Sequence, residues 1–355
     1  MDRGAFTREE LLSEHAYTRP HEAAGYRLHG GFDDTGRYVP PRTLGRWPAV
    51  RAWQQRLEAR GLPLVAADRD LLVHGTFPSF EQHRVLLLHG YGRPLWNSLT
   101  ITGVLEARGR LLADFAFPDF RQVVEDDLSE TATGHLNGGL LTAHGLDEGG
   151  DPATGLGAHD AMWFAARDLL LGAGAWPVPP MPETISRPDS GRLVPQLPLA
   201  HEQMLLLLMN VLMIEVRAEL AFDTTLRLAT DPELFADRRP AAALAAQMVE
   251  RIREDERIHV AYLRTVISEM RGFTWKAADG GRVPGDRIVD PAWRELVRWH
   301  AEENPRLHRA AARSEIREDV RRQPGGERLL ALFDALDADT TGARPAGTSP
   351  RASLD

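Results

Sequence analysis

Residues 248–270 read MVERIREDERIHVAYLRTVISEM, and their apolar side chains recur at the spacing of an α-helix. The apolar stripe runs from Met248 to Met270, and both Glu256 and His259 fall on it. An ionised group on a core-facing stripe is costly unless it is paired or bound to a metal ion. This Glu-x-x-His stretch therefore predicts either a buried polar network or a metal site inside a helical core.

The preceding segment, residues 199–230, is strongly apolar in its first half and predicts a central buried helix. Glu215 lies on its apolar stripe. A turn at Asp231-Pro232 separates this segment from the next, so we expect the two helices to pair antiparallel. Glu215 would then lie level with Glu256 and one helical turn from His259. The alternative for Glu215 is an ion pair with a nearby arginine.

The same spacing argument applies upstream. Segments 95–115 and 119–146 have helical character and meet at Pro118. Glu106 and Glu130 each stand twelve residues from this proline, which predicts a second facing pair of carboxylates. Each of the two could equally be a solvated charge.

This near-twofold pattern resembles the ferritin-like di-metal carboxylate proteins. That family places one glutamate on the first helix of each pair and Glu-x-x-His on the second. The resemblance covers residues 95–271 and implies a four-helix bundle. It also implies a metal-ligand set, which consists here of Glu106, Glu130, His135, Glu215, Glu256 and His259.

The first half of the pattern departs from the family, because the residue three after Glu130 is Thr133. His135 lies on the apolar stripe of segment 119–146, and His159 begins the next predicted helix. Either could supply the missing nitrogen. The glycines at 134, 138 and 139 each cost about 1 kcal/mol in a helix, so the segment is either broken there or closely approached.

The chain has no cysteine, so any metal must bind through His, Asp or Glu. Such ligands suit iron or manganese. The resemblance implies two ions, activation of oxygen or peroxide, and oxidation of a small-molecule substrate. The alternative is a metal-free bundle that acts as a scaffold or binding protein with a degenerate site.

The fold expected is mostly α, with a ferritin-like four-helix bundle core. We divide the chain into an N-terminal mixed region (1–94) packed on the bundle, the helical core (95–271), a C-terminal loop and helices (272–338), and a disordered tail (339–355). Further helices are predicted at 48–60, 79–89, 157–173, 240–271, 291–318 and 326–337, with a turn or hairpin at Asp279-Gly280-Gly281. The proline-rich stretch 174–199 is a crossover between helix pairs.

A formal net charge of −9 argues against nonspecific binding to nucleic acid or to an anionic membrane. The N-terminus has no apolar signal region, and the longest apolar run, 204–214, is too short to span a bilayer. We therefore expect a cytoplasmic protein. Whether it forms a homodimer stays open.

A third function class rests on residues 84–92, RVLLLHGYG, which resemble the strand and His-Gly loop of α/β-hydrolases. That fold also requires a Gly-x-Ser-x-Gly nucleophile elbow, and the sequence contains none. A serine hydrolase is therefore the weakest of the three alternatives.

Overall fold

The computed structural model describes residues 4–183, 186–187 and 191–342, with side chains as far as residue 336. Within these residues the chain is mostly helical. The α-helices are α1 (Arg8–Leu12), α2 (Thr43–Ala59), α3 (Phe80–Leu88), α4 (Arg93–Gly109), α5 (Leu111–Asp114), α6 (Leu141–Gly149), α7 (His159–Leu171), α8 (Leu199–Thr230), α9 (Arg239–Gly272), α10 (Gly285–Arg298), α11 (Asn304–Arg321) and α12 (Gly326–Gly342).

The strands form three small antiparallel pairs. These are β1 (His21–Ala23) with β2 (Tyr26–Leu28), β3 (Gly31–Phe32) with β4 (Tyr38–Val39), and β5 (Thr274–Lys276) with β6 (Arg282–Pro284). Turns of 3₁₀-helix lie at Arg69–Leu71, Phe120–Gln122, Thr133–His135 and Ala236–Arg238, and π-helical turns lie at Leu136–Leu140 and Trp299–Glu303.

The long helices α8 and α9 pack along each other, as their apolar stripes predicted. They run antiparallel, because Arg253 on α9 donates to Glu219 on α8 at 3.1 Å, whereas His259 lies beside Glu215. Helix α7 packs between α9 and α4, and α6 covers α4 and α7. The interior of the protein is therefore built from side chains that these five helices direct towards one another.

Segment 119–146, predicted to have helical character, is not one continuous helix, and both alternatives stated for its glycines occur. The chain forms short 3₁₀ and π turns there, and regular α-helix begins only at Leu141. Gly139 adopts a φ of 136°, which lies outside the helical range, and a Cβ at that position would stand 3.1 Å from Leu11 Cβ. The glycines thus break the helix and let α1 pack closely against the break.

Several helix boundaries also differ from the predictions. Helix α2 begins at Thr43, five residues before Pro48, so that proline lies inside the helix rather than in its first turn. The capping box of α3 at Ser79 and Gln82 is confirmed. In the C-terminal region the hairpin is confirmed, but α10 begins at Gly285 rather than at Pro291.

The end of the chain is only partly described. Helix α12 extends to Gly342, past the predicted boundary at residue 338. The rest of the predicted tail, residues 343–355, lies outside the described residues. None of the described helices combines the length and the apolar character needed to cross a lipid bilayer.

The N-terminal region is joined to the helical core by direct packing. Helix α2 lies against α9, and β2 lies against α7. Trp53 on α2 is fully buried among apolar side chains of the core that surround α8 and α9. Residues upstream of α4 consequently reach the interior where charged side chains gather.

Candidate metal centre

Buried acids and histidines gather where α4, α6, α7, α8 and α9 meet. Two of the sets they form share Glu148, and a third set of His29, His159 and Asp255 adjoins them; within each set the prospective ligand atoms lie within 4.8 Å of one another. The first set comprises His144, Glu148, Glu215 and His259, and the second comprises Glu106, Glu148, His159 and Glu256. Glu148 belongs to both sets, so one carboxylate connects them.

Glu148 on α6 lies at the centre of the cluster. Its Oε1 is 3.3 Å from His144 Nε2, 3.2 Å from His259 Nδ1 and 3.5 Å from His159 Nδ1. Burial opposes ionisation of Glu148, but the proximity of Glu106 and the three histidines holds its pKa well below its ordinary value. The carboxylate is thus available in its ionised form, in which it can bridge two cations.

Helices α8 and α9 supply the three residues that the sequence placed together. Glu256 Oε2 lies 2.8 Å from His259 Nδ1, and Glu215 Oε1 lies 4.0 Å from the same nitrogen. Burial and the charge of Glu256 raise the pKa of Glu215 to about 8. Burial and the charge of Glu148 also act to raise the pKa of Glu256. The neighbouring His259 and His159 have the larger effect and lower that pKa to about 2.

Three buried atoms in this cluster form no hydrogen bond: Glu148 Oε1, His159 Nδ1 and Glu256 Oε1. His159 Nδ1 and Glu256 Oε1 are 2.9 Å apart, yet neither is directed at the other in hydrogen-bond geometry. Leaving buried polar atoms unpaired costs about 1–3 kcal/mol each. Buried nitrogen and oxygen atoms that lie within 3.5 Å of His159 Nδ1 and form no hydrogen bond are candidates for cation ligands.

Two of the histidines each have an aspartate at the ring nitrogen that faces away from the glutamates. His259 Nε2 lies 3.2 Å from Asp147 Oδ2, and His159 Nε2 lies 3.2 Å from Asp255 Oδ2. A carboxylate at Nε2 fixes that nitrogen as a donor and leaves Nδ1 free to bind metal. In both rings, Nδ1 is the nitrogen that faces the glutamates.

The two aspartates are in turn neutralised from the N-terminal region. Arg46 on α2 is fully buried, 2.5 Å from Asp147 Oδ2 and 3.7 Å from Asp255 Oδ1. Arg42 pairs with Asp147 Oδ1 at 2.5 Å. Burial opposes ionisation of Asp147, but these two guanidinium groups hold its pKa well below the ordinary value. The outer carboxylates are therefore balanced without any charge from the inner cluster.

The third histidine, His144, has the neutral hydroxyl of Tyr262 at one ring nitrogen instead of an aspartate. Its Nδ1 lies 2.7 Å from the hydroxyl of Tyr262, and its Nε2 lies 3.2 Å from Glu215 Oε1. The ring stacks on that of His259 with centroids 3.8 Å apart. His144 is thereby oriented with Nε2 towards Glu148 and Glu215.

Close packing by glycine lets α6 bring its ligands into the cluster. A Cβ at Gly109 on α4 would stand 2.6 Å from Glu148 Cγ, and one at Gly145 would stand 2.5 Å from the backbone nitrogen of Ala113. A side chain at either position would force the two backbones apart. These glycines consequently set how far Glu148 reaches between α4 and α7.

The residues predicted from the sequence divide into two groups. Glu106, Glu215, Glu256 and His259 lie in the cluster. For Glu106, Trp163 Nε1 donates to Oε1 at 3.3 Å, and burial together with the charge of Glu148 raises the pKa well above its ordinary value.

The other two predicted ligands, Glu130 and His135, lie outside the cluster. Glu130 is exposed on 58% of its side chain and pairs with Arg56 at 3.1 Å. In His135, Nδ1 lies 2.7 Å from the carbonyl of Thr131 and Nε2 accepts from the amide of Phe6 at 3.0 Å. The predicted facing of Glu130 and Glu106 therefore does not occur, because residue 130 stands in a loop.

His144 and Glu148 were missed, whereas His159 was named as an alternative ligand. The missed pair forms His-x-x-x-Glu, a spacing that places both side chains on one face of a helix. The predicted helical segment ended at residue 146, two residues before Glu148. Extending that helix to Gly149 would have revealed the pair.

Comparisons with models of known protein families, with characterised proteins and with solved structures found no significant match to this chain.

Proposed function

We propose that the cluster binds two metal ions, one in each set of ligands, with Glu148 shared between them. The observation that carries this proposal is a group of three buried atoms without hydrogen bonds, in which Glu148 Oε1 and Glu256 Oε1 lie 3.5 and 2.9 Å from His159 Nδ1. Burying carboxylates together without a counter-charge is costly. A cation in that space would bond to all three atoms.

The charges of the cluster also support two divalent ions. The four glutamates of the two sets carry four negative charges when ionised, which two divalent cations balance. Asp147 and Asp255 do not enter this sum, because Arg42 and Arg46 neutralise them. Metal binding would displace protons from the histidines, whose pKa values the neighbouring carboxylates raise against the effect of burial.

Carboxylate and imidazole donors suit iron or manganese, and we propose one of these as the resident metal. When bound, such a pair would supply redox chemistry, namely activation of dioxygen or peroxide and oxidation of a small organic substrate. The chain's own residues would hold and orient the site. Asp147 and Asp255 fix the two histidine tautomers, and Trp163 positions the Glu106 carboxyl by its hydrogen bond.

We retain the ferritin-like resemblance as a proposal for the α8–α9 half, where Glu215, Glu256 and His259 follow the family pattern. The other half differs. Glu106 on α4 occupies the expected first-helix position, but the remaining ligands come from two separate helices, with Glu148 on α6 and His159 on α7. The arrangement is therefore a five-helix variant of the expected site.

The test is the metal content of the protein after anaerobic loading with ferrous or manganous ion. We expect about two ions per chain in the parent and no more than about one in Glu148→Gln, which removes the shared carboxylate. Glu130→Gln is the matched control, since this exposed glutamate pairs with Arg56 outside the cluster, and it should retain two. Dioxygen consumption by the loaded parent in the presence of a reductant would support the redox assignment.

A parent protein that binds no metal under these conditions would overturn the proposal. In that case the cluster would be a buried polar network in a scaffold. One ion per chain in both the parent and Glu148→Gln would contradict the shared carboxylate.

A further inference from the structure

A cavity of about 500 Å³ opens beside the metal cluster, between α4, α8 and α11. This volume lies within the range of small-molecule sites. Glu106 lines the cavity and also belongs to the cluster, so the two spaces share one residue. Apolar side chains form much of the wall, among them Ile101, Leu105, Ile214, Ala218 and Ala221.

One cation in this wall has no partner in the described part of the chain. Arg217 on α8 lines the cavity and forms neither an ion pair nor a hydrogen bond with any described residue. The other arginines of the wall are engaged: Arg93 pairs with Asp319 at 2.6 Å, and the guanidinium of Arg309 stacks over Phe77. A partly buried guanidinium without an acceptor loses hydration and gains nothing in return, unless a ligand supplies the acceptor.

The neighbouring histidines add no positive charge. Burial and the charge of Arg217 lower the pKa of His300 to about 3 and lower that of His308. His300 Nε2 lies 2.9 Å from Asn210 Oδ1, which fits a neutral ring that donates to the amide. Of the acidic side chains near the rim, Glu315 accepts from the neutral amide of Asn97 and Asp319 pairs with Arg93. Among the three arginines of the wall, Arg217 is therefore the one whose guanidinium has neither a carboxylate nor an aromatic partner among the described residues.

We propose that the cavity binds a molecule with one carboxylate and an apolar body, with the carboxylate held by Arg217. A guanidinium matches a carboxylate through two parallel hydrogen bonds. The apolar wall matches a hydrocarbon or aryl body. One guanidinium without a partner provides one such pair of donors, which matches one carboxylate.

The position of Arg217 places this molecule level with the metal cluster. Arg217 and Glu215 are two residues apart on α8, so they differ by about 3 Å along the axis but lie on different sides of the helix. The residue that lines the cavity and also belongs to the cluster is Glu106. The inference that this carboxylate is the substrate of the centre rests on the proposed function. The inference that it binds at Arg217 does not depend on any metal.

The experiment compares octanoate with 1-octanol by isothermal titration calorimetry on the full chain. The two probes share their hydrocarbon body, so only the carboxylate separates them. We expect the parent to bind octanoate at least tenfold more tightly than octanol. Arg217→Gln should lose about tenfold or more in octanoate affinity, which equalises the two probes. Arg227→Gln is the matched control, since it removes an exposed charge from the same helix outside the cavity, and it should stay within about threefold of the parent.

Circular dichroism would show whether Arg217→Gln is folded, and Arg217→Lys should retain part of the preference for octanoate because it keeps the charge. If the parent binds both probes equally, or if folded Arg217→Gln binds octanoate as the parent does, the proposal is overturned. Each titration is run with and without loaded metal. Binding that persists without metal supports Arg217 whatever the outcome for the metal centre. If octanoate binds only to the metal-loaded protein and binds Arg217→Gln as tightly as the parent, its carboxylate binds the metal ion and the proposal is refuted.

Discussion

Arg46 provides a sharp test of how the centre is organised, because this one side chain lies within ion-pair distance of both outer aspartates. Its guanidinium is fully buried, 2.5 Å from Asp147 and 3.7 Å from Asp255. Arg46→Met keeps an unbranched apolar stem and removes the charge. Asp147 would keep Arg42 at 2.5 Å, whereas Asp255 would keep only His159 among the described groups.

The magnitude follows from that asymmetry. Breaking a buried ion pair by removing one partner costs about 3–5 kcal/mol, because an uncompensated charge stays behind. Since Arg42 still compensates Asp147, we expect the lower end, about 3 kcal/mol. The same loss loosens the aspartates that orient His159 and His259, so metal affinity should fall about 10- to 100-fold.

The assay is urea unfolding of the chelator-treated protein, followed by metal titration of the folded variant. Arg37→Met is the matched control, because Arg37 is 72% exposed and its pair with Glu254 should contribute less than about 1 kcal/mol. Combining Arg46→Met with Asp255→Asn removes the uncompensated charge and should recover part of the lost stability. A loss below about 1 kcal/mol with unchanged metal affinity would refute the assignment of Arg46 as the counter-ion of both aspartates.

Two further predictions concern Glu269 and Gly109. Burial raises the pKa of Glu269 from 4.5 to about 7 although Thr133 donates to it, so its stabilising contribution is present below about pH 4.5 and is lost as the pH rises through about 7. The free energy of unfolding should therefore fall by about 3 kcal/mol as the pH rises across that window. Urea unfolding at pH 5 and pH 8 would measure this difference, which Glu269→Gln should not show. If the variant loses as much stability as the parent between the two pH values, the prediction is contradicted. Gly109→Ala places a methyl group 2.6 Å from Glu148 Cγ and should lower the free energy of unfolding by about 1–3 kcal/mol and also lower the metal content. Gly75→Ala, whose methyl group would have nothing within 4 Å, should change neither quantity. Equal metal content in the two variants would refute the role of Gly109.

The helices predicted best from the sequence are those in which local preference and burial agree. Helices α8 and α9 carry long apolar stripes without interior glycine or proline, and their predicted bounds are correct within a residue at each end. That accuracy placed Glu215, Glu256 and His259 at one level. Their proximity in the structure follows from the antiparallel pairing inferred from one short turn.

The first half of the site was not predicted because its decisive contacts are tertiary. Segment 119–146 has enough apolar residues to suggest a helix, but its glycines serve close packing against other segments, as at Gly139 beside Leu11. A glycine that permits approach and a glycine that ends a helix look the same in a sequence. Ending the helix at residue 146 for that reason removed Glu148, the central carboxylate, from consideration.

The charged residues around the cluster were not predicted either, because their contacts are also tertiary. Asp147 and Asp255 each stand beside a cluster residue in the chain, where an acidic side chain is ordinarily read as solvated. Their partner Arg46 lies more than a hundred residues from Asp147 in the sequence and is brought to it only because α2 packs on α9. Pattern reasoning within one helix cannot anticipate such a pairing.

The N-terminal region supplies the positive charges for the aspartates that support the cluster, whereas the glutamates of the cluster have other partners. Arg42 and Arg46 balance the two aspartates inside the folded chain, so the aspartates can hold the histidine rings in place before any cation arrives. The inner glutamates have no arginine and depend on histidine protons or on metal for their counter-charge. Since a ligand set that is already oriented binds with less loss of conformational freedom, we expect Arg42 and Arg46 of the N-terminal region to favour the proposed metal binding through the two aspartates. The resemblance to a four-helix bundle left this region without a role, and the buried arginines give it one.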